Sequence, residues 1–382
     1  MLASPVRRAA AAGLVFSLAS AFLPRASVVP PVRVASYARD LRLGARRGSE
    51  TPRFVSASLD EASGEREEGR AEAGSVVEPE GYAEELRNAY KRCGEITKIF
   101  SKTFYFGTTF FSEAKKTAVW AIYVWCRRTD DIVDSPLAAM LGPERMTEDL
   151  ARWKERLDRI WVNEPTDALD LALADAKLRY PDLDIMPYVD MIDGMLMDTP
   201  GHALFQDRYE TWDELYTYCY RVAGTVGLMV LPVLGQAEGY TLADATPPGL
   251  SLGIAFQITN ILRDVGEDAL RGRIYLPRED MDRFGVTEKQ IMDAIVDDNY
   301  KALIQFEIDR AEAYYAEART GIPMLDPQAR LAVEVALNVY KGILDKLVEN
   351  DYDNFRKRAY VSKPEKFLML PQSWWNVKDL SP

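Results

Sequence analysis

Aspartates recur at helical spacing along two apolar stretches of this sequence. The first stretch, Ala118 to Asp134, reads AVWAIYVWCRRTDDIVD. Its polar residues Tyr123, Arg127, Asp130 and Asp134 are separated by four, three and four positions. Because residues three or four apart share one face of a helix, Asp130 and Asp134 are expected to point the same way.

A second stretch, Leu252 to Gly272, repeats the design as LGIAFQITNILRDVGEDALRG. Its polar stripe, again at steps of three and four, consists of Gln257, Asn260, Asp264, Asp268 and Arg271. Apolar residues surround that stripe, and burying a carboxylate is costly unless it is paired or bound to a cation. The stripe is therefore expected to face a polar cavity that holds counter-ions.

Magnesium bound to a diphosphate is the chemistry that these residue types suit. Carboxylate and amide oxygens are hard ligands for Mg²⁺, and Mg²⁺ in turn favours phosphate oxygens. Arg127, Lys102, Arg271 and Arg273 supply positive charge for the remaining phosphate oxygens. One D-x-x-x-D pair is common on solvated surfaces, but two pairs on apolar helices favour a metal-assisted diphosphate site.

The elements that position these residues are predicted to be helices throughout. From Gly81 onward apolar residues recur every three or four positions, and alternating strand patterns are scarce. Breaks are expected at Pro136, Pro143, Pro181 to Pro187, Pro200-Gly201, Thr246 to Gly249, Pro277 and Pro323, which gives about eight to ten helices. The sequence suggests no apolar run long enough to span a membrane.

Composition excludes several classes of function. The net charge of -12 over 382 residues disfavours a nucleic-acid partner. Three scattered cysteines do not form a disulfide framework or a thiolate metal site. The single histidine, His202, lies in a predicted turn beside Pro200-Gly201 and is interpreted as structural.

The first eighty residues differ from the rest. Residues 1–57 are rich in arginine, serine and alanine and contain a short apolar run, Ala9 to Leu23, which together are typical of a signal peptide followed by a transit peptide. Residues 58–80 are acidic and are interpreted as a solvated linker. Residues 81–382 then form the catalytic domain, and a plastid location is expected, in the stroma or peripheral to a membrane.

Five segments resemble the squalene/phytoene synthase family, whose members share the isoprenoid synthase fold. They read SKTFYFG at Ser101, AVWAIYVWCRRTDDIVD, YCYRVAGTVGLM at Tyr218, QITNILRDVGEDALRGRIYLP at Gln257 and NDYDNFRKRAYVSKPEKF at Asn350. The resemblance runs from about Tyr82 almost to the C-terminus. It implies an all-α, single-domain bundle around a central cavity.

The resemblance also implies an activity. Two geranylgeranyl diphosphates would condense head to head through prephytoene diphosphate, and a second ionisation, rearrangement and proton loss would give phytoene for carotenoid biosynthesis. No reduction is involved, so NADPH is not expected. The aspartates are expected to bind Mg²⁺ or Mn²⁺. Peripheral membrane association and contact with other carotenoid-pathway enzymes are expected as well.

By motif, the family's site residues fall on named positions of this chain. Asp130, Asp134, Asn260, Asp264 and Asp268 would hold the metal ions; Arg127 and Tyr218 join the aspartates as catalytic residues. The substrate would be bound by Ser101, Lys102, Phe104, Tyr123, Gln257, Asn260, Arg273, Tyr275 and Tyr340. Phe100 departs from the pattern, since related bacterial enzymes carry histidine there.

Two alternatives stay open at this point. A dehydrosqualene or squalene synthase would use farnesyl diphosphate, and motifs alone do not fix the length of the prenyl chain. A non-catalytic assembly factor of the same fold would have lost aspartates, whereas both pairs are intact here. Asp190, Asp193 and Asp198 also match a family region, although a polar helix face explains them equally well.

Overall fold

The computed structural model describes residues 81–101, 104, 105, 108, 111–378 and 380. The predicted leader, the acidic linker and Lys102 lie outside these residues. From residue 88 onward the chain forms one compact unit, whereas residues 81–87 are grouped with a second unit. The division into leader, linker and catalytic domain stays a prediction.

Helices make up the described chain, apart from loops and one isolated bridge between Gln236 and Leu325. The α-helices are α1 (Tyr82–Phe100), α2 (Glu113–Asp134), α3 (Pro136–Leu141), α4 (Pro143–Trp161), α5 (Ala168–Arg179), α6 (Met186–Met197), α7 (Trp212–Cys219), α8 (Thr225–Leu234), α9 (Leu242–Leu270), α10 (Arg278–Phe284), α11 (Glu288–Met292), α12 (Asp298–Thr320), α13 (Pro327–Glu349) and α14 (Lys363–Lys378). A five-residue π-helix (Tyr220–Gly224), called the π-turn below, joins α7 to α8, and a 3₁₀ turn (Ile322–Met324) precedes α13. The predicted all-α fold is confirmed, and the short helices account for the excess over the expected number.

Prolines mark several of the predicted helix boundaries. Pro136 and Pro143 stand at the first positions of α3 and α4, where a missing N–H costs nothing, and Pro277 caps α10. The break expected at Thr246 to Gly249 is wrong, because α9 continues through Pro247 and Pro248.

Tertiary contacts explain that continuation. Helix α9 begins ten residues earlier than the sequence indicated, at a capping box between Thr241 and Asp244. Pro248 packs so closely on Gly321 that a β-carbon there would lie 2.6 Å from the proline ring. Packing around the second turn of α9 therefore outweighs the two backbone hydrogen bonds that the prolines remove.

One described stretch, Trp212–Leu234, is long and apolar enough by composition to cross a membrane, contrary to the expectation from sequence. Of its apolar 18-residue window, 61% is buried within the protein, as in a core helix. This stretch packs against α9, which also contacts α12 and α13. Helix α9, with 29 residues, is thus the central element against which the functional side chains are arranged.

Candidate active site

Asp130 is the most deeply buried member of the first aspartate pair. Its side chain lies on α2 with 1% exposure, and neither carboxylate oxygen accepts a hydrogen bond from the described residues. Among the described residues its one ion pair is long, with Arg127 Nη1 3.7 Å from the carboxylate. Burial, followed by repulsion from Asp134, raises the pKa of Asp130 well above its usual range. An uncompensated carboxylate of this kind favours a bound cation.

Asp134 and Asp268 share one electrostatic environment, although they lie on α2 and α9. Crowding by protein atoms, followed by the charge of Asp198, raises the pKa of Asp134 to about 7, even though this side chain reaches solvent. Burial, followed by the charge of Asp264, raises the pKa of Asp268 to about 7. Asp198, Arg271 and Arg273 act on both carboxyls. One carboxyl of each pair is therefore influenced by the same three charged groups.

The amides of the α9 stripe direct acceptor oxygens into the interior. Asn260 donates its side-chain N–H to the carbonyl of Phe256 at 2.6 Å, which leaves its Oδ1 as the free end. Asn260 Oδ1 and Gln257 Oε1 are both buried and accept no hydrogen bond from the described part of the chain. Buried acceptors normally have donors. Together with the Asp130 oxygens, they form a set of hard ligands without partners.

Asp264 is instead neutralised by arginines. Arg263 Nε donates to its Oδ1 at 2.9 Å, and Arg358 Nη2 lies 3.0 Å from the same oxygen. Arg358 also pairs with Glu267 on the same helix. The segment that follows α13 therefore crosses α9 at the second aspartate pair.

Asp198 lies at the centre of the polar network. It follows α6 directly, with 8% exposure, and accepts hydrogen bonds from Arg273 Nη1 at 2.5 Å, the Tyr218 hydroxyl at 3.0 Å and the Tyr275 hydroxyl at 3.3 Å. Arg273 Nη2 also donates to its backbone carbonyl at 3.0 Å. Asp198 thus fixes one arginine and two tyrosines whose positions are far apart in sequence.

The tyrosines form a buried aromatic cluster. Tyr218 and Tyr275 have ring centroids 5.1 Å apart, and Tyr209 lies within 5.8 Å of both. Burial raises the pKa of Tyr218 and of Tyr275, so both hydroxyls stay protonated and donate at neutral pH. Tyr340, 2% exposed on α13, packs 4.4 Å from the Phe256 ring.

The neighbouring residues Arg127 and Arg128 make contacts on different faces of α2. Arg127 lies over the Phe100 ring at 4.9 Å and pairs with Asp131, so phenylalanine at position 100 provides a cation–π support. Arg128 points to the back of the helix, where it pairs with Asp167 at 2.8 Å and with Asp170 at 3.1 Å. The ion pairs of Arg128 hold α2 against the start of α5, and Arg127 lies beside Asp130.

The remaining predicted residues of this region are buried near α2. Ser101 is 5% exposed, and its hydroxyl has no hydrogen-bond partner among the described residues. Phe104 and Tyr123 are each 1% exposed, with ring centroids 5.2 Å apart. Their roles toward a substrate stay predictions. His202 accepts a hydrogen bond from the backbone N–H of Leu204 at 3.1 Å, as a residue of a turn does.

An apolar cavity extends from Asn260 along α9. It is lined by residues of α8, α9, the π-turn and the 3₁₀ turn, including Ala223, Gly227, Gly253, Phe256 and Ala245. Fifteen residues separate Asn260 from Ala245, which corresponds to about 22 Å of helix. Small residues keep the helices close: a β-carbon at Gly253 would lie 2.7 Å from the Ala223 carbonyl oxygen. The small residues near Gly224 therefore serve both helix packing and the cavity.

Metal ligation here would draw on oxygens other than those of clustered carboxylates. Within the described residues, no group of three or more Asp, Glu, His or Cys side chains is close enough to hold an ion without other ligands. Mg²⁺ usually takes one or two carboxylates and completes its shell with water and phosphate oxygens. The unpartnered oxygens of Asp130, Asn260 and Gln257 fit that kind of ligation.

Sequence reasoning missed several residues of this site. Asp198 was left between two interpretations, and Arg263, Arg358 and Tyr209 were not singled out. Arg358 belongs to the recognised segment NDYDNFRKRAYVSKPEKF, which was the available signal. The contacts of Asp198 with Arg273 and of Arg358 with Asp264 span 75 and 94 positions, which spacing along one helix does not reveal.

An all-helical fold in which Asn260 connects the polar stripe of α9 to an apolar cavity is the arrangement of an isoprenoid-synthase type of protein. The sequence profile of the squalene/phytoene synthase family matches residues 97–365. The chain belongs to this family.

Individual proteins agree with that assignment. The chain is 49% identical to the 15-cis-phytoene synthase of Synechococcus elongatus over 75% of its own length and 92% of that protein. It is 48% identical to the chloroplastic phytoene synthase of Daucus carota, over 76% and 71% of the two chains. Among solved structures, a ligand complex of a dehydrosqualene synthase is 32% identical and superposes with a TM-score of 0.66, covering 77% of this chain and 98% of that one.

Proposed function

We propose that the residues described above carry out phytoene synthesis at the aspartate-bearing end of the apolar cavity. The chain is a phytoene synthase, which condenses two geranylgeranyl diphosphates to phytoene in the first committed step of carotenoid biosynthesis. The observation that carries the site assignment is the continuity between the polar stripe and the cavity. Asn260 belongs to both, so a diphosphate beside the stripe has its hydrocarbon tail in the cavity.

Asp130, Asp134, Asn260, Asp264 and Asp268 would hold Mg²⁺, with Gln257 beside them. When bound, Mg²⁺ neutralises the charge that develops on the departing diphosphate. The chain must first free Asp264 from its pairs with Arg263 and Arg358. Once released, these guanidinium groups are available to phosphate oxygens, for which bidentate arginine is well suited.

Arg127, Arg273 and Ser101 would hold the diphosphate, and Lys102, which lies outside the described residues, is proposed for the same role. Tyr275 donates to Asp198 and lies 3.0 Å from Arg273 Nη1, so binding at Arg273 reaches the tyrosine cluster directly. Tyr218, Tyr340, Phe104 and Tyr123 would line the reacting centre with aromatic faces, which stabilise a carbocation without trapping it. For the final proton loss we favour the released diphosphate as acceptor, because Tyr218 and Tyr275 are already protonated donors.

The length of the cavity supports geranylgeranyl over farnesyl diphosphate. About 22 Å of helix between Asn260 and Ala245 matches an extended geranylgeranyl chain. A dehydrosqualene synthase, the type of protein seen in the solved relative, uses the same motifs, so the distinction depends on this depth.

Incubation of the purified protein with geranylgeranyl diphosphate or farnesyl diphosphate, each with Mg²⁺, tests the proposed substrate. We expect phytoene from the first and at least tenfold less hydrocarbon product from the second, by analogy with discrimination in apolar pockets. Extraction and chromatography of the products measure both. Product from farnesyl diphosphate alone would refute the assignment.

Metal-free protein should gain thermal stability as the pH falls from about 8 to about 6. The pKa of Asp268 is raised to about 7 by burial and by Asp264. A carboxyl whose pKa is raised by folding binds its proton more tightly in the folded state, so folding is favoured as the pH drops through that pKa. Differential scanning fluorimetry measures the effect.

Mg²⁺ with inorganic diphosphate should reverse this trend, because ligation requires the deprotonated carboxylate. The gain in melting temperature on adding both is expected to be larger at pH 8 than at pH 6. The variant Asp268→Asn should reduce the slope of the metal-free profile, and part of the slope should remain because the pKa of Asp134 is also raised to about 7. An unchanged profile in that variant would mean that Asp268 does not titrate in this range.

Location and partners follow from the nature of the reaction. A plastid location agrees with the targeting composition of residues 1–57 and with the chloroplastic plant relative. Substrate tail and product are hydrocarbons, so peripheral association with a membrane and contact with other carotenoid-pathway enzymes are proposed. The acidic net charge gives no support for a nucleic-acid partner.

A further inference from the structure

Helix α14 exposes large apolar side chains and buries polar ones, which is the reverse of an ordinary surface helix. Its exposed face consists of Pro364, Phe367, Leu368, Pro371, Gln372, Trp374, Trp375 and Lys378. Phe367, Leu368 and Trp375 are 61%, 76% and 62% exposed. Positions 367, 368, 371 and 375 follow the spacing of one helix face. We call Phe367, Leu368, Pro371 and Trp375 the C-terminal apolar face.

Polar bonds hold the opposite side of α14 against α13. Ser373 is fully buried and accepts a hydrogen bond from Asn338 Nδ2 at 2.9 Å. Asn376 Nδ2 donates to Glu334 at 2.6 Å, although Glu334 is only 1% exposed. These polar contacts help to orient α14, while Phe367, Leu368 and Trp375 are left largely in water, which is costly unless another apolar phase covers them.

Charge distinguishes this region from the rest of residues 81–382, which are acidic overall. Between Arg356 and Lys378 there are six basic residues and one acidic residue, whereas the whole chain has a net charge of -12. Arg356 and Lys357 are exposed, and Tyr360 beside them is 69% exposed. Lys378 lies 3.1 Å from the centre of the Trp375 ring. Tryptophan beside lysine on an apolar face is the combination that anchors proteins at anionic bilayer surfaces.

We propose that the C-terminal apolar face is the membrane-docking surface of this protein and binds bilayers with anionic headgroups. A second copy of the chain fits less well, because two such faces would bring two basic segments together. Helix α14 has 16 residues, so it would lie in the interface and not span the bilayer. Arg358, five residues before α14, pairs with Asp264, so the basic segment that precedes the face reaches the second aspartate pair. The inference deepens the membrane association proposed above and is independent of the catalytic assignments.

Co-sedimentation of the full-length protein with lipid vesicles tests the proposal. We expect binding to phosphatidylcholine vesicles that contain phosphatidylglycerol, little binding to phosphatidylcholine alone, and weakening by salt. The double variant Phe367→Ser/Trp375→Ser should bind about tenfold more weakly or worse. The matched control Val162→Ser/Leu178→Ser removes apolar side chains that are 66% and 55% exposed elsewhere and should bind like the wild type.

A second readout reports on Trp375 directly. Brominated lipids should quench tryptophan fluorescence of the wild type on vesicle binding, and Trp375→Phe should lose most of that quenching. Equal vesicle binding by the wild type and the face variant would overturn the proposed surface alone. Absence of binding by the wild type would overturn membrane association itself. A dimer that the face variant dissociates, in sedimentation velocity without lipid, would assign the face to a second copy.

Phytoene synthesis from detergent-dispersed substrate separates docking from catalysis. The face variant should keep wild-type activity in that assay and the fold of the wild type by circular dichroism. Loss of activity there together with loss of vesicle binding would indicate a structural role for the face and would refute the proposal. The variants Arg356→Gln and Lys357→Gln should reduce binding only to the anionic vesicles.

Discussion

Asp130→Asn and Asp264→Asn are each expected to lower phytoene formation by about a thousandfold or more, since each removes a ligand charge worth several kcal/mol in the transition state. Asparagine keeps the shape of the side chain, so the loss reports the charge. Steady-state kinetics with geranylgeranyl diphosphate and Mg²⁺ measure it. The control is Glu267→Gln. Glu267 lies between Asp264 and Asp268 on α9, but its side chain is exposed, so this change should alter the rate less than about threefold.

Stability should move in the opposite direction at position 130. Asp130 is buried, receives no hydrogen bond from the described residues and is repelled by Asp134. Neutralising it should therefore raise the melting temperature of the metal-free protein while activity is lost, which is the trade-off typical of a strained site. A variant that keeps wild-type activity would instead support the non-catalytic scaffold of this fold.

Ala245→Phe is expected to change the chain-length preference of the enzyme. Ala245 lines the far end of the cavity and is 2% exposed, so a phenyl ring there shortens the space for the hydrocarbon tail. We expect kcat/KM for geranylgeranyl diphosphate to fall by about a hundredfold relative to farnesyl diphosphate, in the range that apolar pockets provide for a few carbon atoms. Product analysis with each substrate measures the ratio.

The matched control for this change is Ala243→Phe. Ala243 lies two residues earlier on α9 and is exposed, so the same substitution adds a ring on the surface. Its product ratio should equal that of the wild type. If both variants behaved alike, the cavity along α9 would not be the site of the prenyl tail, whereas the aspartate assignments would be unaffected.

Local periodicity was sufficient to propose much of the candidate site, whose roles stay predictions. Asp130 and Asp134 on α2, and Asn260, Asp264 and Asp268 on α9, were identified because spacing of three and four residues places side chains on one helix face regardless of the rest of the fold. The apolar residues between them also predicted the helices themselves. The chemistry of hard oxygen ligands and arginines then restricted the reaction to diphosphates.

Long-range packing decided the remainder. Asp198 became the centre of the site only because the chain folds Tyr218, Arg273 and Tyr275 around it, and Arg358 reaches Asp264 from 94 positions away. Helix α9 runs through Pro247 and Pro248 because its neighbours compensate for the lost hydrogen bonds.

Cavity depth, and with it the length of the prenyl chain, is likewise a property of how α8 and α9 approach each other at Gly253. The sequence determines the type and the local order of the reactive groups. Their partners depend on which surfaces meet when the apolar faces are buried together, and no local pattern contains that information.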